Sequence, residues 1–233
     1  MLAILSDIHA NLAALEAVVA DARARGATRF LSLGDVVGYH CQPGPCIDLL
    51  ASLGATNIMG NHDGYVLGTG NCSRSKVVAG IIDDHRKMLT PAQLKWLAGS
   101  IPSLREGGTL YVHGGPRDVR EQYLYTVGAD TFPEDVGTLF SGHTHVQILA
   151  RIGPKTYCNP GSVGQPRDGD PRAAYALAGA DGITLCRVEY DIRRTADAMQ
   201  AAGYAAFLYE NLFVGAQIGG RIDKVRILQE DKA

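Results

Sequence analysis

Five short apolar runs in the first 145 residues each end in aspartate, asparagine or histidine, and this pattern limits the possible folds strongly. The runs and their polar ends are Leu2–Leu5 with Asp7 and His9, Phe30–Leu33 with Asp35, Ala55–Met59 with Asn61 and His62, Thr109–Val112 with His113, and Thr138–Phe140 with His143 and His145. Apolar runs of this length predict buried β-strands. Because buried polar side chains are costly unless something pairs with them, we expect these ends to converge on a shared ligand.

Helical segments separate the first three runs. Asn11 is a predicted N-cap for a helix through Arg25, and a second helix is predicted from Cys46 to Leu53. Successive strand–helix units of this length predict parallel strands joined by helical crossovers. Because ligands of open α/β sheets bind at the carboxyl ends of the strands, all the polar clusters are expected to lie at one sheet edge.

The second half of the chain has a different pattern. Residues 73–99 are predicted to be largely helical, and the polar loop 116–135 is predicted to lie outside the core. After His145, short strands separated by turns predict an antiparallel meander, followed by helical stretches at 195–202 and 205–214. We expect a single domain over residues 1–233, with 116–135 as a small cap or loop and 215–233 as a tail.

Composition excludes several classes of protein. The chain is 46% apolar and 20% charged with a net charge of -2, which indicates neither a nucleic-acid surface nor a membrane surface. We find no signal peptide and no apolar stretch long enough to span a bilayer. Five cysteines without a C-x-x-C motif are interpreted as reduced thiols of a cytoplasmic protein.

The polar ends have the composition of a metal site. In the D-x-H and H-x-H spacings, strand alternation would place both side chains on one face, where they can chelate one ion. Carboxylate and imidazole without nearby cysteine suit Mn, Fe, Zn, Co or Ni. Asp35 lies between two sets of histidines and could give one oxygen to each of two ions, which such sites hold roughly 3.5–4 Å apart. Two divalent ions would leave a small local positive charge, which favours a phosphate oxyanion as substrate.

These motifs, taken in order, resemble the signature of the calcineurin-like metallophosphoesterase family. The matching residues are Asp7-x-His9, Gly34-Asp35, Gly60-Asn61-His62-Asp63, His113 and Gly142-His143-x-His145. Two further stretches, residues 34–39 and 159–167, resemble its small bacterial and archaeal phosphodiesterase branch. The resemblance implies an α/β fold, a four-layer α/β/β/α sandwich with a parallel or mixed first sheet and a largely antiparallel second sheet.

The resemblance also implies roles for individual residues. One metal would take Asp7, His9, Asp35 and His145, and the other Asp35, Asn61, His113 and His143. His62 would act as the catalytic residue off the metals, and Asn61 and His62 would contact substrate. The implied reaction is in-line attack of a metal-bridging hydroxide on phosphorus, without a phosphoenzyme.

Several residues and functions remain as alternatives. Arg117, in the polar loop, is a candidate for substrate binding, whereas His40 is interpreted as a surface-loop residue. Residues 159–164 are predicted to brace the site from outside the ligands. The expected substrate is a small phosphodiester or nucleotide, with a dinucleoside polyphosphate hydrolase, a phosphomonoesterase or a non-catalytic interaction protein as alternatives. The sequence predicts no oligomeric state.

Overall fold

Two five-stranded sheets and six α-helices make up most of the computed structural model, which describes residues 1–73 and 75–229. The helices are α1 (Leu12–Ala24), α2 (Pro43–Ser52), α3 (Asn61–Val66), α4 (Lys76–Met88), α5 (Pro91–Ala98) and α6 (Ile192–Ala201). The strands are β1 (Leu2–Leu5), β2 (Arg29–Ser32), β3 (Thr56–Asn57), β4 (Leu104–Glu106), β5 (Thr109–Tyr111), β6 (Thr126–Val127), β7 (Thr138–Phe140), β8 (Ile148–Ile152), β9 (Lys155–Asn159), β10 (Ala173–Gly179), β11 (Gly182–Val188) and β12 (Arg226–Ile227). Short 3-10 turns occupy Ala129–Thr131, Ala206–Leu208 and Glu210–Val214.

The first helices begin where side-chain chemistry favours a helix start. Asn11 accepts the Ala14 N–H at 3.2 Å, so its predicted role as the N-cap of α1 is confirmed. The second helix begins at Pro43, three residues earlier than predicted, because the fixed φ of proline suits the first helical turn. Helix α3 begins at Asn61, so the cluster after the third strand also forms a helix N-terminus.

The first sheet has the order β11-β10-β1-β2-β3. Its β1–β2 and β2–β3 pairs are parallel, as the strand–helix alternation predicts. The β10–β11 hairpin adds to β1 in antiparallel orientation, and its tight turn falls at Gly179–Gly182. The carboxyl ends of β1, β2 and β3 therefore lie at one edge of this sheet.

The second sheet has the order β4-β5-β7-β9-β8. Its outer pairs, β4–β5 and β8–β9, are antiparallel, whereas the inner pairs β5–β7 and β7–β9 are parallel. The α/β class with two sheets is confirmed, and the antiparallel character expected of the second sheet belongs to its outer pairs. The predicted meander is divided between the sheets, because its turns specify hairpins but not the sheet that each hairpin joins.

The sheets pack face to face, with helices on the outer face of the first sheet. Ile4, Leu31 and Ala176 of the first sheet meet Tyr111 and Phe140 of the second. Side chains of α1, α2, α4 and α5 cover the opposite face of the first sheet. The outer face of the second sheet is covered by the segment 119–136, whose only regular helix among the described residues is one 3-10 turn.

The expectation that the loop 116–135 lies outside the core is wrong. Leu124, Val127 and Phe132 are buried against Leu139 and Tyr157 of the second sheet. Asp130, Glu134 and Asp135 of the same segment are exposed, so the average polarity of the segment hides its buried side. The segment is the fourth layer of the fold.

A Phe132→Ala variant tests this packing. We expect it to lower the free energy of unfolding by about 3 kcal/mol or more, since buried phenylalanine truncations typically cost 3–5 kcal/mol. Urea denaturation would measure the change. Glu134→Ala, an exposed neighbour, is the matched control and should change stability by less than about 0.5 kcal/mol. Equal effects of the two substitutions would contradict the buried role of Phe132.

The C-terminal segment is partly packed. Strand β12 pairs with β6, and Asp223 is buried, so the predicted tail 215–233 contributes to the fold up to residue 229. Residues 230–233 lie outside the described part of the chain. Across the described residues, we find no helix with the length and apolar character needed to cross a membrane.

Candidate metal centre

Every residue that the sequence analysis placed at the metals is buried, and together they form two adjacent groups at the carboxyl edge of the strands. The first group is Asp7, His9 and His145, and the second is Asn61, His113 and His143, with Asp35 between them. Their side chains come from five separate segments of the chain, as the sequence predicts.

In the first group, the imidazoles of His9 and His145 are stacked, with ring centroids 4.9 Å apart. The Nε2 atoms of His9 and His145 lie 3.2 Å apart, and His145 Nε2 lies 3.2 Å from Asp7 Oδ1. The other oxygen of Asp7 accepts hydrogen bonds from the Ser6 hydroxyl at 2.6 Å and from the His143 N–H at 3.0 Å. Only Oδ1 of this carboxylate is left to face the histidines.

In the second group, His113 lies close to all the other members. Its Nε2 lies 3.0 Å from Asn61 Oδ1 and 3.0 Å from His143 Nδ1. Its distance to Asp35 Oδ2 is 3.4 Å. An amide oxygen, two imidazole nitrogens and a carboxylate oxygen therefore point at the same small volume.

Asp35 joins the two groups through a single oxygen. Its Oδ2 lies 3.7 Å from His9 Nε2 and 3.4 Å from His113 Nε2. Its Oδ1 accepts the backbone N–H of His62 at 2.9 Å. The backbone of α3 engages Oδ1 and leaves Oδ2 to face both groups, whereas the sharing of Asp35 oxygens between two ions stays a prediction.

The side chains converge because of left-handed backbone, and not because of strand alternation. Asp7, His9, Asp35, His143 and His145 all lie outside the strands and have φ between 50° and 65°. Such values are uncommon for residues other than glycine and cost free energy. The prediction that D-x-H and H-x-H pairs lie on one strand face is wrong, since tight left-handed turns after β1, β2 and β7 aim these side chains inward.

Hydrogen bonds behind the imidazoles fix which nitrogen faces the centre. His9, His113 and His145 each place Nδ1 2.6–3.0 Å from a main-chain carbonyl, of Val37, Leu33 and Gln165 respectively. A carbonyl oxygen only accepts, so each Nδ1 carries a proton. This arrangement is typical of histidines that bind metal through the opposite nitrogen.

The atoms that face one another in the centre are all electron-pair donors, and they would be better satisfied by a cation than by one another. In neutral tautomers with Nδ1–H, the Nε2 lone pairs of His9 and His145 point at each other and at Asp7 Oδ1, which lacks a hydrogen-bond partner. Burial opposes the charged form of His113, but the nearby Asp35 charge outweighs it and raises the pKa of His113 to about 9. A positive charge is therefore favoured between Asp35 and His113. Borderline divalent metals match this set of imidazole, carboxylate and amide donors.

His62 belongs to neither of these two groups, although it also lies close enough to His9 and Asp35 to form a third possible metal-binding group with them. Its Nε2 is 3.9 Å from Asp35 Oδ2, its ring meets the His9 ring edge-on at 4.9 Å, and its buried Nδ1 has no hydrogen-bond partner. Burial lowers the pKa of His62 to about 4. The ring is packed so closely against Gly38, which has φ 91°, that a Cβ there would collide with Nδ1.

Asp63 is a structural residue of the site to which the sequence analysis gave no role. Its carboxylate accepts the backbone N–H groups of Asp35 at 3.0 Å, Val36 at 2.9 Å and Gly60 at 3.1 Å. These bonds hold the left-handed turn at Asp35 against the start of α3. The signal was present, since Asp63 ends the Gly60–Asp63 motif, but its partners Asp35 and Val36 lie almost 30 residues away.

The predicted bracing role of residues 159–164 is confirmed by their hydrogen bonds. Asn159 donates to the Gly142 carbonyl at 2.9 Å, and Ser162 donates to the Asp7 carbonyl at 2.7 Å. These two side chains hold the backbone of the turns on which Asp7 and His143 lie.

His40 is fully buried, so its interpretation as a surface-loop residue is wrong. Its Nδ1 lies 2.8 Å from the His9 carbonyl, and His85 Nε2 lies 2.7 Å from the His40 carbonyl. His85 also accepts the Gly38 N–H through Nδ1 at 3.1 Å. Together these rings support the loop between Asp35 and α2, which carries Tyr39 over the centre.

A cavity of about 360 Å³ lies beside the centre. Tyr39, Tyr123 and Arg167 line it, and the Tyr123 ring stacks on His143 at 3.7 Å. Arg117 is exposed and is not among the residues that line this cavity, so its predicted contact with substrate stays a prediction. Sequence analysis did not assign Arg167, because nothing in the chain pattern shows that its side chain turns inward.

Comparisons with known proteins identify the family of this chain. The family model of the calcineurin-like phosphoesterase superfamily domain matches residues 1–182. An uncharacterised protein of Methanocaldococcus jannaschii is 33% identical, with 92% of this chain and 98% of that protein covered.

Two solved structures share the architecture over nearly the whole chain. A metallophosphoesterase from Sphaerobacter thermophilus is 35% identical with a TM-score of 0.81, covering 92% of this chain and 99% of that one. A hypothetical protein from Pyrococcus horikoshii has a TM-score of 0.78 at 18% identity, covering 93% and 100%, and shares the fold alone. On the match to its family model, this chain belongs to the calcineurin-like phosphoesterase superfamily.

Proposed function

We propose that this protein is a metal-dependent phosphoesterase that hydrolyses small phosphodiesters or nucleotides. The observation that carries the proposal is the single oxygen of Asp35 that faces both ligand groups, 3.7 Å from His9 Nε2 and 3.4 Å from His113 Nε2. A carboxylate oxygen shared by two groups is the arrangement expected of a two-metal hydrolase. The 35% identical Sphaerobacter protein, described as a metallophosphoesterase, supports the same reaction class.

The proposed centre holds two divalent ions chosen from Mn, Fe, Zn, Co and Ni. Asp7, His9, Asp35 and His145 would hold one ion, and Asp35, Asn61, His113 and His143 would hold the other. When bound, such ions polarise a phosphoryl oxygen and activate water for in-line attack. Hydrogen bonds to the atoms that face away from the proposed ions fix the orientation of Asp7, Asp35 and the buried imidazoles.

His62 is the proposed catalytic residue. It is not one of the proposed ligands, and its Nδ1 has no hydrogen-bond partner, so its imidazole is available to a phosphoester bound there. In this position it donates a hydrogen bond or a proton to the leaving oxygen. Asn61 begins α3 next to it and is proposed to contact substrate as well as metal.

Removing metal with a chelator and then adding Mn²⁺ tests the proposed phosphoesterase activity. Protein stripped with a chelator should lose hydrolysis of bis-p-nitrophenyl phosphate, and Mn²⁺ should restore it. A screen of diesters, monoesters and dinucleoside polyphosphates with each metal would then rank the alternatives. Absence of metal-restored hydrolysis of any phosphoester would favour a non-catalytic interaction protein instead.

We propose a cytoplasmic location, supported by five free cysteines. Burial raises the pKa of the Cys158 thiol, which keeps it protonated and unreactive. The proposed partner is the small substrate itself, with no nucleic acid or membrane.

A further inference from the structure

Two residues that line the cavity beside the metal centre also contact the histidines of the centre. Tyr39 places its ring 4.5 Å from the His9 ring and 5.1 Å from the His62 ring, and Tyr123 stacks on His143. The remaining wall comes from the start of α4 and from the C-terminal segment that includes Ile218. A molecule whose phosphate lies at the metal centre would therefore extend into this cavity.

Arg167 brings a buried positive charge to the cavity. Its side chain lines the cavity with only 6% of the residue exposed, and its Nη2 donates to the Tyr39 hydroxyl at 2.9 Å. Its Nε is buried and has no hydrogen-bond partner. Burial opposes the charge, but the surrounding tyrosines and Asp7 outweigh it and raise the pKa of Arg167.

Apart from Asp7, whose oxygens face Ser6, His143 and His145, the acidic residues near Arg167 pair with other arginines. Asp168 pairs with Arg187, Asp170 pairs with Arg172 at 2.6 Å, and Asp223 pairs with Arg221 at 2.9 Å. In the described part of the chain, no carboxylate forms an ion pair with Arg167. A buried charge of this kind is costly unless an anion from outside the chain satisfies it.

Two aromatic rings, those of Tyr123 and Tyr125, also line the cavity. The rings of Tyr123 and Tyr125 are stacked with an angle of 2° and centroids 5.5 Å apart, and the Tyr125 hydroxyl donates to Asp223 at 3.1 Å. Ile218 adds an apolar side. Aromatic faces and an aliphatic side chain are the surfaces on which a planar base packs favourably.

We propose that the cavity binds a nucleotide that carries one phosphate besides the one held at the metal centre. Arg167 binds the additional phosphate, and the base packs against the tyrosine pair and Ile218. This inference rests on the proposed function and specifies its substrate. In the reaction, water adds to the phosphorus at the metal centre, the P–O bond to the cavity-bound nucleotide breaks, and the leaving oxygen takes the proton that water gives up.

Ligand ranking with the wild-type, Mn²⁺-loaded protein tests the proposal without any substitution. Calorimetry with AMP, pyrophosphate and α,β-methylene-ADP, a non-hydrolysable analogue that stands for ADP in all binding measurements, should show ADP binding at least about tenfold more tightly than either of the others, since only ADP offers both phosphates and the base. The same order is expected for inhibition of bis-p-nitrophenyl phosphate hydrolysis. Binding is measured separately from turnover, so a protein that hydrolyses nothing would refute the proposed function while still testing this site.

Substitutions then assign the interaction to Arg167. Arg167→Gln should weaken ADP binding about 10- to 100-fold and AMP binding less than about threefold, whereas Arg167→Lys should retain part of the ADP affinity. Arg172→Gln, whose arginine is paired with Asp170 and does not line the cavity, is the matched control and should bind ADP normally. Thermal melting confirms that each variant folds.

A second variant tests the proposed binding of the base. Ile218→Trp fills the cavity and should weaken ADP binding while leaving pyrophosphate binding unchanged. ADP that binds no tighter than AMP and pyrophosphate to the wild-type protein would overturn the proposal. A folded Arg167→Gln variant with unchanged ADP affinity would also overturn it.

Discussion

An Asp35→Asn variant is expected to lose at least about 10³-fold in kcat/KM on bis-p-nitrophenyl phosphate and to bind less metal. The oxygen that faces both ligand groups carries a negative charge in aspartate, whereas asparagine places a neutral amide there. Metal ions supply several kcal/mol of transition-state stabilisation, and each 1.36 kcal/mol is about a factor of ten in rate. Elemental analysis of metal per chain, made alongside the kinetics, would connect the two losses.

The matched control is Asp197→Asn, an exposed position on α6. It should bind metal and turn over substrate like the wild-type protein. If Asp35→Asn kept full metal content and full activity, Asp35 would not be the shared ligand and the two-ion centre would be refuted.

A His62→Ala variant is expected to keep its metal and lose about 10²- to 10⁴-fold in kcat, which is the usual contribution of a positioned acid or base. His62 could hold an ion together with His9 and Asp35, but the proposed ligand sets do not include it, so its removal leaves those sets intact. Steady-state kinetics at saturating Mn²⁺, with metal content measured on the same samples, would separate catalysis from metal loss.

The choice of leaving group makes this test sharper. If His62 protonates the leaving oxygen, its loss should harm hydrolysis of an alkyl phosphodiester far more than that of a p-nitrophenyl ester, whose leaving group needs little protonation. Similar losses on both substrates would assign His62 to stabilising the phosphoryl oxygens. Unchanged turnover on both would remove it from the mechanism.

The location of the centre could be predicted from sequence, because five apolar runs end in residues of metal-binding type. The backbone conformation that brings those residues together could not be predicted from sequence. Asp7 and His9 lie in a left-handed turn that hydrogen-bonds to the next strand's turn, with the His9 N–H 2.9 Å from the Asp35 carbonyl. Aspartate and histidine adopt left-handed backbone more often than most residues, but this preference does not identify the individual positions, so strand alternation gives the wrong expectation.

Residues that act across long sequence separations were also beyond sequence reasoning. Asp63 organises a turn at residues 35–37, and Arg167 reaches Tyr39, which lies 128 residues away. Neither partner can be identified from spacing. Phe132 shows the same limit for the fold, since polar neighbours in the chain conceal a side chain that packs on the second sheet.

The left-handed turns create a trade-off between the stability of the protein and its proposed activity. Seven residues other than glycine have positive φ in the described chain, and Ala10 and Tyr39 are the two that are not proposed ligands. Each costs on the order of 1–2 kcal/mol relative to a relaxed conformation. Selection for heat resistance alone would favour glycine at these positions and would thereby delete the donors, so a thermostabilised variant must gain its stability elsewhere in the molecule.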